Sequence, residues 1–346
     1  MRVAIVNDMP VAIEGLKRII LSERSHTIAW TALDGDSAVR QCKLDRPDVI
    51  LMDLVMPGKS GALATAEIMK QSPCAILVVT ATVAGNFKLV SEAMGYGAYD
   101  AVETPRVTGS AAGATMLLSK LVNVDRVNQR LRIARSSDPT KQAFTSIATS
   151  SSMGSHTPIV AIGASTGGPA ALESILSNLK ASFPAAILIA QHIGEEFALP
   201  MVQWLAERCK IRVRTVKPGD RPEPGTAHVA ATNDHLVLMR DGTLHYTRHP
   251  EENPFRPSVD ALFNSIAEAG CRPCVAVLLT GIGADGAKGL LRLRQAGWHT
   301  IAQDQASSVV YGMPQAASKL GAASRILPLS EIAKGLEHLV NHPQPR

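Results

Sequence analysis

Aromatic side chains are scarce, at 4% of the 346 residues, so the chain has little to stack on nucleic-acid bases. Its basic residues are scattered rather than clustered. The formal charge of +5 therefore reads as a solvated surface, and no nucleic-acid partner is expected. Cysteine is equally sparse. Cys42, Cys74, Cys209, Cys271 and Cys274 are odd in number and spread along the chain, which fits a reduced, cytoplasmic protein. Cys271-x-x-Cys274 stands alone, with no second pair to complete a zinc site. No uninterrupted apolar run is long enough to cross a bilayer, so no direct membrane insertion is expected. Met1 to Asp8 ends in an acid and has no cleavage-like site, which argues against a signal peptide. What remains is 46% hydrophobic, enough for two domains with cores of their own.

The most informative stretch is Ile159-Val160-Ala161-Ile162-Gly163-Ala164-Ser165-Thr166-Gly167-Gly168-Pro169. Its β-branched run predicts a buried strand, its glycines a tight turn, and Pro169 the first turn of a helix. Ser165 then lies at the carboxyl end of a strand and the mouth of a helix, a good seat for a nucleophile. Gly163-x-Ser165-x-Gly167 fits the nucleophile-elbow pattern. A glycine-rich dinucleotide loop and a plain strand-to-helix turn fit it too.

The first third alternates apolar strands with helical stretches. Strands are expected over residues 2–8, Asp48 to Asp53, Cys74 to Thr80 and Tyr99 to Pro105. A helix is expected through Val11, Ile13, Leu16, Ile19 and Ile20. This predicts an α/β unit with a parallel sheet, whose ligands gather at the carboxyl ends of its strands. Asp8, Asp53 and Thr80 fall at such ends. Two carboxylates at one sheet edge repel unless a cation lies between them, and Mg²⁺ is the natural one.

Residues 1–120 resemble a response-regulator receiver domain, a flavodoxin-like five-stranded parallel sheet. The resemblance implies Asp53 as the phosphorylated aspartate and Thr80 as the switch hydroxyl. It implies Asp8, Asp53 and the Val55 carbonyl as Mg²⁺ ligands. Three positions depart from the pattern: Asn7 replaces an acid, Ala101 an aromatic and Thr104 a lysine.

Residues 121–156 open on a basic stretch compatible with a helix and continue through Ser136 to Thr140 and Thr149 to Ser155, runs rich in Ser and Thr and low in hydrophobicity, as a linker is. Alternation then resumes over residues 157–346. A doubly wound, mostly parallel sheet is expected, with an antiparallel hairpin about Asp241-Gly242 at one edge. Three strand ends carry Ser165, His192 and Asp285, the residue types of an acyl-transfer triad. Gly281-x-Gly283-x-x-Gly286 with Asp304 also fits a dinucleotide fingerprint, which would suit an oxidoreductase. In the plainest reading His192 is a core histidine and Asp285 a helix cap.

The whole chain resembles the chemotaxis-type protein-glutamate methylesterases. Five blocks carry this: Gly163 to Pro169, Gln191-His192, Pro254 to Asp260, Thr280 to Gly286, and Gln303-Asp304 through Ser307 to Pro314. The resemblance implies Ser165 as nucleophile, His192 as base and Asp285 as its carboxylate. It implies an oxyanion hole from the backbone amides of Thr166 and Ile282, and Arg256 at the substrate rim. It further implies a methyl-accepting chemoreceptor as substrate, a histidine kinase as phosphodonor and no organic cofactor. Ala4 to Pro10 and Thr104-Pro105 resemble the Wsp-type, surface-sensing branch. A receptor-docking adaptor without turnover is the competing expectation.

Overall fold

The computed structural model describes residues 1–82, 86–105, 113–122, 124, 157–251, 253 and 255–341. Most of the expected linker over 121–156 lies outside them, as does Pro254.

The amino-terminal part places strands β1 (Arg2–Val6), β2 (Thr27–Ala32), β3 (Val49–Met52), β4 (Ala75–Thr80) and β5 (Asp100–Glu103) in one parallel sheet of order β2-β1-β3-β4-β5. Every residue of β3 and β4 is buried, as expected of strands covered on both faces. Helices α1 (Pro10–Leu21), α2 (Gly35–Leu44), α3 (Gly61–Gln71), α4 (Phe87–Gly95) and α5 (residues 113–122) alternate with them. Helix α2 is capped by Asp34, whose carboxylate accepts from Ser37 N at 2.8 Å. Ile13, Leu16 and Ile20 of α1 face the core, whereas Val11 is exposed because it lies off their stripe. The strand order reverses between β1 and β3, which puts Asp8 and Asp53 at the topological switch point.

The carboxyl-terminal part is built on seven parallel strands: β6 (Ile159–Ala164), β7 (Ala186–Gln191), β8 (Arg212–Thr215), β9 (Thr226–Val229), β12 (Val275–Leu278), β13 (His299–Gln303) and β14 (Arg325–Leu327). Their order is β14-β13-β12-β6-β7-β9-β8. Helices α6 (Gly168–Leu176), α7 (Glu195–Arg208), α8 (Val259–Ala269), α9 (Ala287–Gln295), α10 (Met313–Lys319) and α11 (Leu329–Asn341) surround them. The hairpin forms as expected from β10 (His235–Leu238) and β11 (Leu244–Thr247), but as a separate two-stranded sheet. It packs on α8, where Leu238 N donates to Ser265 Oγ at 3.0 Å, and β8 holds the large sheet's edge instead. The sheet's switch point is β6, flanked by β7 and β12. The strands that precede Ser165, His192 and Asp285 are therefore neighbours.

The two parts pack through α4, β5 and α5 on one side and α6 and α7 on the other. Helix α4 lies against α6, and Met94 O accepts from Gly167 N at 3.1 Å. Lys120 of α5 pairs with Asp100 at 2.8 Å and sets its ammonium 5.0 Å from the centroid of the Phe197 ring in α7.

Candidate active site

Strand β6 ends at Ala164, and the chain turns through Ser165 and Thr166 to Gly167, whose φ of +79° suits glycine. Ser165 N donates to Thr280 O at 3.0 Å, tying the elbow to the end of β12. Gly281 leaves room for the serine, because a Cβ there would lie 2.5 Å from Ser165 Cβ. Ser165 is 2% exposed.

His192 follows β7, which pairs with β6 so that Gln191 stands opposite Ala164. Ser165 and His192 are thus the next residues of two adjacent strands. Gln191 Nε2 binds the Ser165 and His192 carbonyls at 2.9 and 3.1 Å, bracing both strand ends. The His192 ring stacks on Phe255 at 4.4 Å between centroids and 9° between planes. His192 Nε2 lies 2.8 Å from Asp285 Oδ2. An ionised carboxylate only accepts, so Nε2 carries the ring proton and Nδ1 keeps a lone pair. That Nδ1 is buried and has no hydrogen-bond partner among the described residues. Sequence reasoning missed Phe255 as the ring's support; the only signal was its place in the block that carries Arg256.

Asp285 sits at the amino end of α8. Its carboxylate accepts from Val259 N at 2.6 Å, Ser258 Oγ at 2.9 Å and Asp260 N at 3.3 Å. Burial pushes its pKa up, but the His192 hydrogen bond and charge, the Val259 amide and the Ser258 hydroxyl together hold it below the ordinary value. Neighbouring Asp260 goes the other way: burial, then the charge of Asp285, push it up to about 7.

The amides of Thr166 and Ile282 flank this centre, one next to Ser165 and the other next to Gly281. Among the described residues neither donates a hydrogen bond to another protein group. Asp304, the rival acid, is occupied elsewhere, accepting from the Ser307 amide at 3.0 Å and the Ser307 hydroxyl at 2.5 Å. The Gly281-to-Gly286 loop carries Asp285 to His192, with Gly281 packed on the serine. Beside His192 opens a cavity of about 490 Å³, lined on one side by Asn253, Phe255 and Arg256 and on the other by Tyr99, Met116 and Lys120. Arg256 is held at its rim by the Glu251 carbonyl, 3.0 Å away.

At the other pole Asp53 is half-buried. Its Oδ1 accepts from Leu54 N at 2.7 Å, and its Oδ2 from Asn7 Nδ2 at 2.9 Å. Burial raises its pKa, the Val55 and Leu54 amides oppose this, and the Asp8 charge adds to the rise. Thr80 is buried, and its hydroxyl accepts from Asn86 Nδ2 at 2.8 Å. Thr104 N binds the Thr80 carbonyl at 2.8 Å, and Ala101 is buried at the contact between the two parts.

A parallel sheet with a serine elbow, joined to a flavodoxin-like receiver, defines a hydrolase with a response-regulator domain at its amino end. Residues 160–336 match the CheB methylesterase family, and residues 3–109 match the response regulator receiver domain. The chain belongs to the CheB methylesterase family. It is 49% identical, over 98% of its length and 99% of the relative's, to the protein-glutamate methylesterase/protein-glutamine glutaminase 2 of Burkholderia orbicola (strain AU 1054). It is 48% identical, over 98% and 99% respectively, to protein-glutamate methylesterase/protein-glutamine glutaminase 1 of Burkholderia lata. Among solved structures it resembles the Thermotoga maritima CheB methylesterase catalytic domain, with 34% identity and a TM-score of 0.50. That match covers 53% of this chain and 98% of the other.

Proposed function

We propose that this chain hydrolyses glutamate γ-methyl esters on chemoreceptor helices, releasing methanol, and deamidates receptor glutamines by the same acyl chemistry. The observation that carries this reading is the His192 Nε2–Asp285 pair at 2.8 Å, which leaves a buried Nδ1, unpartnered among the described residues, at the strand end beside Ser165. Ser165 Oγ attacks the ester carbonyl while His192 Nδ1 takes its proton. The amides of Thr166 and Ile282 bind the oxyanion. The imidazolium then protonates the departing methoxide, leaving an acyl-serine. A water deprotonated by Nδ1 attacks this in turn, and glutamate leaves as Ser165 regains its proton. Ionised Asp285 holds the tautomer and stabilises the imidazolium, while Arg256 meets the substrate protein at the rim. The test is methanol release from methylated receptor membranes by the wild-type chain and by Ser165→Ala, which should release none above background.

Regulation is read from the contact between the two parts. Residues 1–120 form the receiver, 121–156 the linker and 157–346 the catalytic domain. The receiver covers the mouth beside His192, and phosphorylation of Asp53 by a histidine kinase favours the open arrangement. A divalent cation fits the receiver pole, because Asp8 and half-buried Asp53 repel each other. Asp8, Asp53 and the Val55 carbonyl would hold Mg²⁺, which supplies positive charge against the phosphoryl oxygens. Among the described residues no helix is long and apolar enough to cross a membrane. The chain works in the cytoplasm, where the receptor's signalling helices lie.

A further inference from the structure

Ser258 caps α8, and its hydroxyl accepts from Ala261 N at 3.2 Å, as capping requires. It has two further partners that capping does not need. Asn253 Nδ2 donates to Ser258 Oγ at 2.8 Å, and Ser258 Oγ lies 2.9 Å from Asp285 Oδ1. A hydroxyl accepts two hydrogen bonds and donates one. With both acceptor sites filled, the single proton of Ser258 goes to Asp285. The backbone is fixed as well. Ser258 N donates to His235 Nδ1 at 3.0 Å, and His235 Nε2 donates to the Pro250 carbonyl at 3.2 Å. Ser258 and His235 are both fully buried.

We propose that Ser258 is a positioning residue of the esterase, whose hydroxyl proton keeps the Asp285 carboxylate turned onto His192. The proposal rests on the triad reading above. Without that proton, Oδ1 keeps among the described residues only the Asp260 amide at 3.3 Å, and the Val259 amide, 2.6 Å from Oδ2, is left as the one close tether against rotation of the carboxylate off the imidazole. The Asn253 amide serves the same end twice, because its Oδ1 also accepts from Phe255 N at 3.0 Å, below the ring that stacks on His192.

The test uses the full chain and methanol release from methylated receptor membranes. Ser258→Gly is the main variant, because glycine caps a helix nearly as well as serine but carries no hydroxyl. Its kcat should fall about 10–100-fold, the worth of one hydrogen bond to a charged group, with KM within about twofold. Ser258→Ala should match it in kcat while also lowering the melting temperature, and Ser258→Thr should recover most of the lost turnover. In an Asp285→Asn background, Ser258→Gly should cost nothing further, since both changes act through one carboxylate. Wild-type kcat in Ser258→Gly or Ser258→Ala, or full additivity with Asp285→Asn, overturns the proposal. If Asp285→Asn itself leaves kcat unchanged, the triad reading fails first.

Discussion

Lys120 of α5 and Phe197 of α7 form one of the contacts by which the amino-terminal part is held on the carboxyl-terminal part. The ammonium lies 5.0 Å from the ring centroid, and its side chain is only 7% exposed. A desolvated contact of this kind is worth about 1–2 kcal/mol. Phe197→Leu keeps an apolar side chain but removes the ring face. The closed arrangement then loses that stabilisation, and the ratio of open to closed molecules rises about 5–30-fold. Methanol release without a phosphoryl donor should rise by the same factor until the open form predominates. Lys120→Met approaches the contact from the other side, and it also takes one cation from Asp100, so the single variants differ. A double-mutant cycle isolates the pair. The reasoning is refuted if both single variants fold with wild-type basal turnover, or if their effects on that turnover are independent.

Other outcomes follow from the site. Gly281→Ala should lower kcat about 100-fold or more, because the new methyl displaces Ser165; the melting curve of the variant separates this from unfolding. Asp260, pushed up to about 7, binds its proton more tightly in the folded chain than in the unfolded one, so its ionised form opposes folding above pH 7. That opposition fades as pH falls from 7 towards the unfolded value near 4. Asp260→Asn, which keeps an acceptor for Gly289 N at 2.7 Å, should stabilise the chain by about 1–3 kcal/mol at pH 8, with the gain vanishing towards pH 4 in denaturant titrations. Asp53→Asn should abolish any rise in turnover caused by a small-molecule phosphoryl donor. In the wild-type chain that rise should be modest, because Thr104 supplies no cation and Ala101 no aromatic ring.

Much of this was legible because strand ends carry the chemistry. The apolar runs before Ser165, His192 and Asp285 are buried on both faces, so period and composition mark them plainly. What lay hidden is what sequence spacing does not encode. Strand β2 is half-buried at a sheet edge, and β14 is three residues long with two of them exposed, so neither shows a continuous apolar run. The orientation of His192, with Nε2 rather than Nδ1 on the carboxylate, depends on how Phe255 and α8 pack around the ring. Asn7 reads as a lost acid in the sequence. In three dimensions its amide donates to Asp53. Asn253 and Ser258 share the loop before α8, whereas His235 comes from β10, and only folding joins them behind Asp285.

The most direct test of the central claim is methanol release from methylated receptor membranes by Ser165→Ala beside the wild-type chain. Removal of the nucleophile should lower turnover on the order of 10⁴-fold or more while the fold persists by circular dichroism. Turnover retained in the folded variant would contradict acyl transfer through Ser165.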